Sequence, residues 1–345
     1  MYSEADLDAA VAAGVLSAGE AGKFRAFIAA NRHGPAVDEE YVRLLTGFND
    51  IFVSIAIALV AIATYVLTGS ALERGVAMAA EAWALAEYFT RRRHMALPSI
   101  LLLLLYAKGV ATLLMHVVGL WVSSHLLSFL PFGEIGTKTG LYLTVGFTAG
   151  LEALAIYAHW RRFHVPITVA AGMASLVLLV IFLALGFAPG LLPYWPWLMM
   201  LGGLCVFALA LRWDMTDRTR QTRRADVAFW LHLLAAPMLV HPAFYLLGLL
   251  HGGHAGDASV AVALYAILAL VALLVDRRAL LVSALGYVIY ALAHVLHNGG
   301  SQLGSLAVTA LVAGCALLLL SAFWHNVRAG LLALLPKGLV TRLPA

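Results

Sequence analysis

The stretch "EAWALAEYFTRRRHMALPSI", residues 81–100, decides how many times this chain crosses a membrane. It ends one apolar run that carries glutamates, passes through three arginines and a histidine, and begins a new apolar run. A spanning helix needs about 20 mostly apolar residues, and cytoplasmic loops carry an excess of lysine and arginine. The stretch is therefore typical of two membrane helices joined by a cytoplasmic turn.

The composition of the whole chain requires lipid as its solvent. Of the 345 residues, 63% are hydrophobic and only 12% are charged, whereas a soluble domain has about 25% charged residues. The net charge of +4 comes from basic turns, so it gives no reason to expect nucleic acid as a partner. The two cysteines form no CxxC motif, which excludes a zinc ribbon or a thioredoxin-type site.

Apolar runs of spanning length recur along the chain and predict an all-α, polytopic transmembrane bundle. The second run is the weakest because it carries Glu73, Glu81 and Glu87. We predict about ten spans, near residues 48–67, 70–90, 97–118, 139–160, 165–187, 191–211, 226–249, 258–275, 279–297 and 303–324.

The basic residues support ten spans. With a cytoplasmic N-terminus, 19 of the 22 lysines and arginines fall on the inner side, as the positive-inside rule requires. Without the weak second span, the later basic clusters would fall on the outer side. We therefore expect both termini in the cytoplasm, with a helical hairpin at 1–46, the bundle at 47–326 and a tail at 327–345.

The N-terminal segment is polar and amphipathic and predicts two short helices. Gly14 suits the end of the first helix, and "SAGE" at Ser17–Glu20 is a capping box that starts the second. The hairpin lies on the membrane or packs on loops in one interpretation. In the other, it docks a protein partner through residues 1–46.

The stretch at 81–100 resembles "EALAIYAHWRRFHVPITVA", residues 152–170. This similarity predicts serial helical-hairpin repeats, although any membrane hairpin with a basic turn has a comparable pattern. The segment "DAAVAAGVLSAGEAGKFRAFI" (residues 8–28), followed by serial apolar hairpins, resembles uncharacterised bacterial polytopic membrane proteins. The resemblance covers most of the chain through layout and composition, implies the bacterial inner membrane, and supplies no catalytic motif.

Four ionisable residues fall inside predicted spans: Asp50, Glu81, Lys108 and Glu152. Charges at this depth cost at least about 2.5 kcal/mol each, so they normally face a partner or a water-filled cavity. Pairing of Lys108 with Glu81 or Glu152 would fix helix register. The alternative is a site that couples protons to a substrate, because two carboxylates for one lysine leave one carboxylate to take a proton.

Histidines predict a second kind of site on the outer side. His294 and His297 share a helical face, and the loop holding His251, His254 and Asp257 lies on the same side of the membrane. Imidazole is a common transition-metal ligand, so these five residues form a candidate metal site. His241, beside Pro242, and His116 are candidate pocket residues. Two of His116, His241 and His294 would suffice as axial haem ligands.

Five further histidines, His33, His94, His159, His164 and His325, are expected at the inner interface beside arginines. Motifs for nucleotide binding, zinc proteolysis and acyl transfer are absent from the sequence. The surplus of carboxylates inside the predicted spans leads us to expect a proton-coupled transporter of a small solute or ion. The alternatives are a metal- or haem-binding membrane enzyme or redox protein, and a membrane assembly or sensing subunit.

Overall fold

The structure is a computed structural model that describes residues 7, 10–31, 48–126, 134–217, 222–249, 255–278, 281–282, 285–286, 289 and 302–336. By its internal contacts the chain divides into two units, Met1–Val42 and Arg43–Ala345. The described residues form helices and turns without a β-strand. This confirms the predicted all-α class.

The first unit contains α1 (Ala18–Asn31), which begins with the predicted capping box. The Glu20 backbone N–H donates to Ser17 Oγ at 3.2 Å, and the Ser17 backbone N–H donates to Glu20 Oε2 at 2.9 Å. The hydrogen bonds from Ser17 lower the pKa of the Glu20 carboxyl. Gly14 has a φ of 70° and ends the preceding turn, as predicted for a helix C-cap.

The second unit is a series of α-helices connected mostly by short turns. It also contains a π-helical turn, Val122–Leu126, and a 3₁₀ segment, Pro189–Tyr194. The helices are α2 (Phe48–Leu67), α3 (Ala71–Phe89), α4 (Ala96–Trp121), α5 (Glu134–Phe163), α6 (Ile167–Phe187), α7 (Trp195–Thr216), α8 (Arg223–Leu246), α9 (Ala255–Val275), α10 (Gln302–Ala322) and α11 (Trp324–Ala333).

Six segments of the described chain are long and apolar enough to cross a membrane, and they contain α2, α4, α5, α6, α7 and α8. A seventh crossing results if the end of α10 and α11, bent by 68° relative to each other, count as one span. The chain is therefore a multi-pass integral membrane protein. The structure does not confirm ten spans. The glutamates make α3 too polar to count as a membrane-crossing helix, and most of 279–297 lies outside the described residues.

Three helical hairpins, α3/α4, α5/α6 and α7/α8, provide the closest packing in the bundle. In α3/α4 the two backbones approach at Gly75 and Gly109. A Cβ on Gly109 would lie 2.5 Å from the Ala79 backbone nitrogen, and one on Gly75 would lie 2.5 Å from that of Leu113. Small residues allow this approach between membrane helices. α3 therefore packs along α4, which is long and apolar enough to cross a membrane.

The basic turns lie at one end of the second unit, called here the basic end. Arg162 of α5 contacts Glu87 of α3, and Arg277 after α9 contacts Asp214 of α7. The apolar cluster around Ala210 contains residues from the starts of α6 and α8 and from the ends of α5 and α7. In the most apolar stretch of α8, 56% of the residues are buried, against 17% in that of α2. α8 therefore lies inside the bundle and α2 at its periphery.

Three non-glycine residues at the basic end have left-handed backbone conformations: His94, His164 and Asp276, with φ of 52°, 54° and 57°. His94 follows the arginine turn after α3, and His164 follows the end of α5, which contains Arg161 and Arg162. A left-handed L-residue costs about 1–2 kcal/mol because its Cβ crowds the backbone. The turns therefore contain strain that glycine would relieve.

We expect His94→Gly to raise the free energy of unfolding by about 1 kcal/mol, because glycine accepts a positive φ without a Cβ clash. The β-branched His94→Val should lower it by a comparable amount. Equilibrium unfolding in mixed micelles measures both changes. Equal stability of the glycine and valine variants would contradict the strained turn.

Candidate functional site

The predicted charge set does not form the expected ion pair. Lys108 is exposed on α4, and among the described residues no ion pair links it to Glu81 or Glu152. Depth is not the reason, because the contact of Gly109 with Ala79 places Lys108 nearly level with Glu81. The reason is the direction around the helix: Gly109 faces α3, and the next residue along an α-helix points about 100° away.

Glu81 extends from the middle of α3 toward α2. The Thr64 hydroxyl donates to Glu81 Oε2 at 2.6 Å. The other oxygen, Oε1, is buried and accepts no hydrogen bond within the described part of the chain. Glu81 therefore has one neutral donor and, among described residues, no cation to balance a negative charge.

Glu152 is partly buried in α5, within a segment that meets the spanning criterion. In the region that the structure describes, it makes neither a hydrogen bond nor an ion pair. Asp50 is buried in the first turn of α2, at the opposite end of that helix from Thr64. Of the four predicted residues, Glu81 and Glu152 are thus the carboxyls that lack charge compensation among described groups. They are called here the intramembrane carboxyls.

The predicted pocket residues lie in different settings. His241 is partly buried in α8, and its ring centroid is 5.9 Å from that of Trp195 at the start of α7. Pro237 and Pro242 both lie inside α8, which continues through them. His116 is exposed on α4. The apolar groove between α4, α5 and α6, which includes Trp121 and Phe147, contains none of the predicted site residues.

The predicted metal site falls on residues that the structure leaves undescribed. His251, His254, His294 and His297 lie outside the described residues, and so does the side chain of Asp257 in the first turn of α9. Within the described ranges, no group of three or more histidine, cysteine or carboxylate side chains has the arrangement of a metal site. The metal and haem ligands therefore stay predictions.

A buried charge cluster at the basic end escaped the sequence analysis. Its members Asp214, His232 and Arg277 are each at most 1% exposed and come from α7, α8 and the turn after α9. His232 Nε2 hydrogen-bonds Asp214 Oδ2 at 2.8 Å. Arg277 donates from Nε to the same oxygen at 3.2 Å and from Nη2 to Oδ1. One carboxylate thus binds the arginine in bidentate fashion and the histidine as well.

The neighbouring residue Asp276 extends this arrangement to α11. The Trp324 indole N–H donates to Asp276 Oδ1 at 2.7 Å, and Arg328 Nε lies 3.6 Å from the same oxygen. Trp324 is almost fully buried. These contacts explain why an aspartate occupies a left-handed position that suits glycine, because its side chain connects the end of α9 to the start of α11.

The buried aspartates of the basic end and the intramembrane carboxyls differ in charge balance, and this difference indicates different roles. Asp214 is paired with Arg277, and Asp276 with Arg328, as expected of buried charges that hold helix ends together. The intramembrane carboxyls lack such partners among described residues. One signal in the sequence points to the buried charge cluster: aspartates occur inside otherwise basic turns, in "RWDMTD" and "VDRR".

Comparison with known proteins identifies no relative of this chain. No protein family, no curated protein and no solved structure matches the chain.

Proposed function

We propose that the protein is a proton-coupled transporter of a small solute or ion, and that Glu81 and Glu152 are its proton-carrying residues. The observation that carries this proposal is that, among the described residues, neither carboxyl has a cation to balance it inside helices that pack as a membrane bundle. A carboxylate in apolar surroundings favours its neutral, protonated form. A carboxyl without a fixed cation is therefore able to accept and release a proton as its surroundings change.

The contacts of Glu81 support this role. Thr64 Oγ1 reaches one oxygen of Glu81 from the peripheral helix α2, so the hydrogen bond crosses between two helices. α2 is the least buried of the candidate spans. A movement of α2 relative to α3 would change the environment of Glu81 and couple its protonation to the shape of the bundle.

We also propose the surroundings in which this activity occurs. The basic end faces the cytoplasm, α3 crosses the membrane beside α4, and the protein lies in the inner membrane of a bacterium with ten spans. Support comes from the positive-inside distribution of lysine and arginine. The separate contact unit Met1–Val42 is a candidate site for a protein partner in this arrangement.

Proton movement in reconstituted vesicles tests the proposed function. Purified protein in liposomes that contain a pH-sensitive dye should equilibrate an imposed pH step faster than protein-free liposomes. A transported solute from a panel of amino acids, sugars, organic acids and inorganic ions should accelerate the change further. A wild-type rate equal to that of protein-free liposomes with every solute would contradict the proposal.

A further inference from the structure

The apolar groove between α4, α5 and α6 has a volume of about 480 Å³. Side chains from all three helices line it, among them Val118 of α4, Leu151 of α5 and Leu179 of α6. Ligand sites in proteins have volumes of about 300–1,000 Å³ and are lined mostly by apolar and aromatic side chains. The groove therefore has the size and the lining of a site for an apolar ligand.

Two features of the packing keep the groove open. Gly150 lines it, and a Cβ at this position would lie 3.2 Å from Leu179 Cδ1, so a larger residue would occupy the space. The Trp121 ring is nearly perpendicular to that of Phe147 at a centroid distance of 6.2 Å, and it stacks on His125 at 5.8 Å. These ring contacts hold the indole at the edge of the groove and prevent it from folding inward.

The groove lies at membrane depth, toward the end opposite the basic end. Its three helices belong to segments that are long and apolar enough to cross a membrane. At a rise of 1.5 Å per residue, Val117 and Trp121 lie about 32 and 38 Å along α4 from Ala96 at the basic end. The apolar core of a bilayer is about 30 Å thick, and tryptophan is enriched at its interfaces. Trp121 therefore lies at the far interface, and the groove extends from it into the apolar core.

The groove is continuous with the lipid-facing surface of the same helices. Val117 and Leu151 line it and are about half exposed, and Leu154, one turn further along α5, is exposed as well. Polar side chains begin directly beyond Trp121, where Ser123 and Ser124 are exposed in the π-helical turn. An acyl chain in the groove would thus join the surrounding lipid, and its glycerol and headgroup would lie at the level of these hydroxyls.

We infer that the groove binds one acyl chain of a membrane phospholipid, with the lipid headgroup beside the π-helical turn. This inference is independent of the proposed proton transport. Lipid tails are as apolar as leucine, so hydrophobicity does not draw the chain out of the bilayer, and van der Waals packing provides the attraction. A chain enclosed by three helices contacts more protein atoms than one on an open surface, and these small gains add up. The bound lipid is therefore retained when detergent replaces the surrounding lipids.

Native mass spectrometry of the protein purified in detergent tests this site. The wild type should retain one phospholipid, and after delipidation it should bind one molecule of added dioleoyl phosphatidylglycerol. Leu151→Trp places a larger ring in the mouth of the groove. We expect it to weaken binding by about 10-fold or more, which corresponds to about 1.4 kcal/mol. Val117→Trp fills the groove from α4, should have the same effect, and carries the test if Leu151→Trp does not fold.

The matched control is Leu154→Trp, the same substitution at an exposed leucine of α5 that lies outside the groove lining. It should bind lipid as the wild type does. Elution as a single species and an unchanged melting temperature establish folding. Wild-type lipid binding by a folded Leu151→Trp or Val117→Trp variant would overturn the inference. So would a wild type that neither retains nor binds phospholipid, or a wild-type dimer that these two variants dissociate, because the groove would then bind a second copy of the chain.

Discussion

Asp214→Ala is expected to lower the free energy of unfolding by about 3–5 kcal/mol, the usual result of breaking a buried ion pair from one side. The substitution leaves the Arg277 guanidinium buried without its carboxylate, and it removes the hydrogen-bond partner of His232 Nε2. Arg277→Leu should have a comparable effect because it leaves Asp214 without its arginine. Reversible unfolding of the purified protein in mixed micelles measures both values.

Two further variants make this prediction specific to the buried charge cluster. Arg212→Leu changes an exposed arginine two residues before Asp214 and should alter stability by less than about 0.5 kcal/mol. The double variant Asp214→Leu/Arg277→Leu should lose less stability than the sum of the two single leucine variants, because neither charge is left alone. Additive single effects would show that the pair is not coupled.

Gly109→Leu is expected to destabilise the protein by about 3 kcal/mol or more, because overpacking at a close helix contact forces backbone shifts. Its Cβ would lie 2.5 Å from the Ala79 backbone nitrogen and 3.0 Å from the Gly75 carbonyl oxygen. These atoms are main-chain atoms of α3, so a change of side-chain rotamer does not relieve the overlap. Gly109→Ala should already show a clear loss of stability.

The matched control is Gly314→Ala in α10, whose added Cβ meets no heavy atom within 4 Å in the described structure. This variant should be neutral or gain up to about 1 kcal/mol from the better helix propensity of alanine. Unfolding experiments on the two alanine variants separate helix contact from helix propensity. Equal effects at both positions would contradict close packing of α3 on α4.

The features that local chemistry determines were predictable from the sequence. The capping box at Ser17–Glu20 depends on residues three apart, and the predicted hydrogen bonds form. The apolar runs and basic turns predicted helical hairpins, because an apolar segment in lipid must satisfy its own backbone. The weak run at 70–90 indeed forms a helix, Ala71–Phe89.

The features that depend on direction around a helix, or on distant partners, were not predictable. Depth alone made Lys108 a partner for Glu81, but the residue next to it, Gly109, faces α3. Asp214 meets a histidine 18 residues away and an arginine 63 residues away. His159 has arginines two and three residues along the chain, yet its ring packs against the ring of Phe163. Tertiary packing determines each of these outcomes, and the pattern of a single sequence does not show which distant side chains it brings together.

Proton flux through Glu81→Gln/Glu152→Gln in dye-loaded proteoliposomes tests the central claim most directly. Glutamine keeps the size of each side chain and removes its ability to carry a proton. The control Glu87→Gln changes a paired glutamate on the same helix as Glu81. We predict that the folded double variant equilibrates pH at the rate of protein-free liposomes, while Glu87→Gln retains the wild-type rate. A folded double variant that equilibrates pH as fast as the wild type would contradict the account.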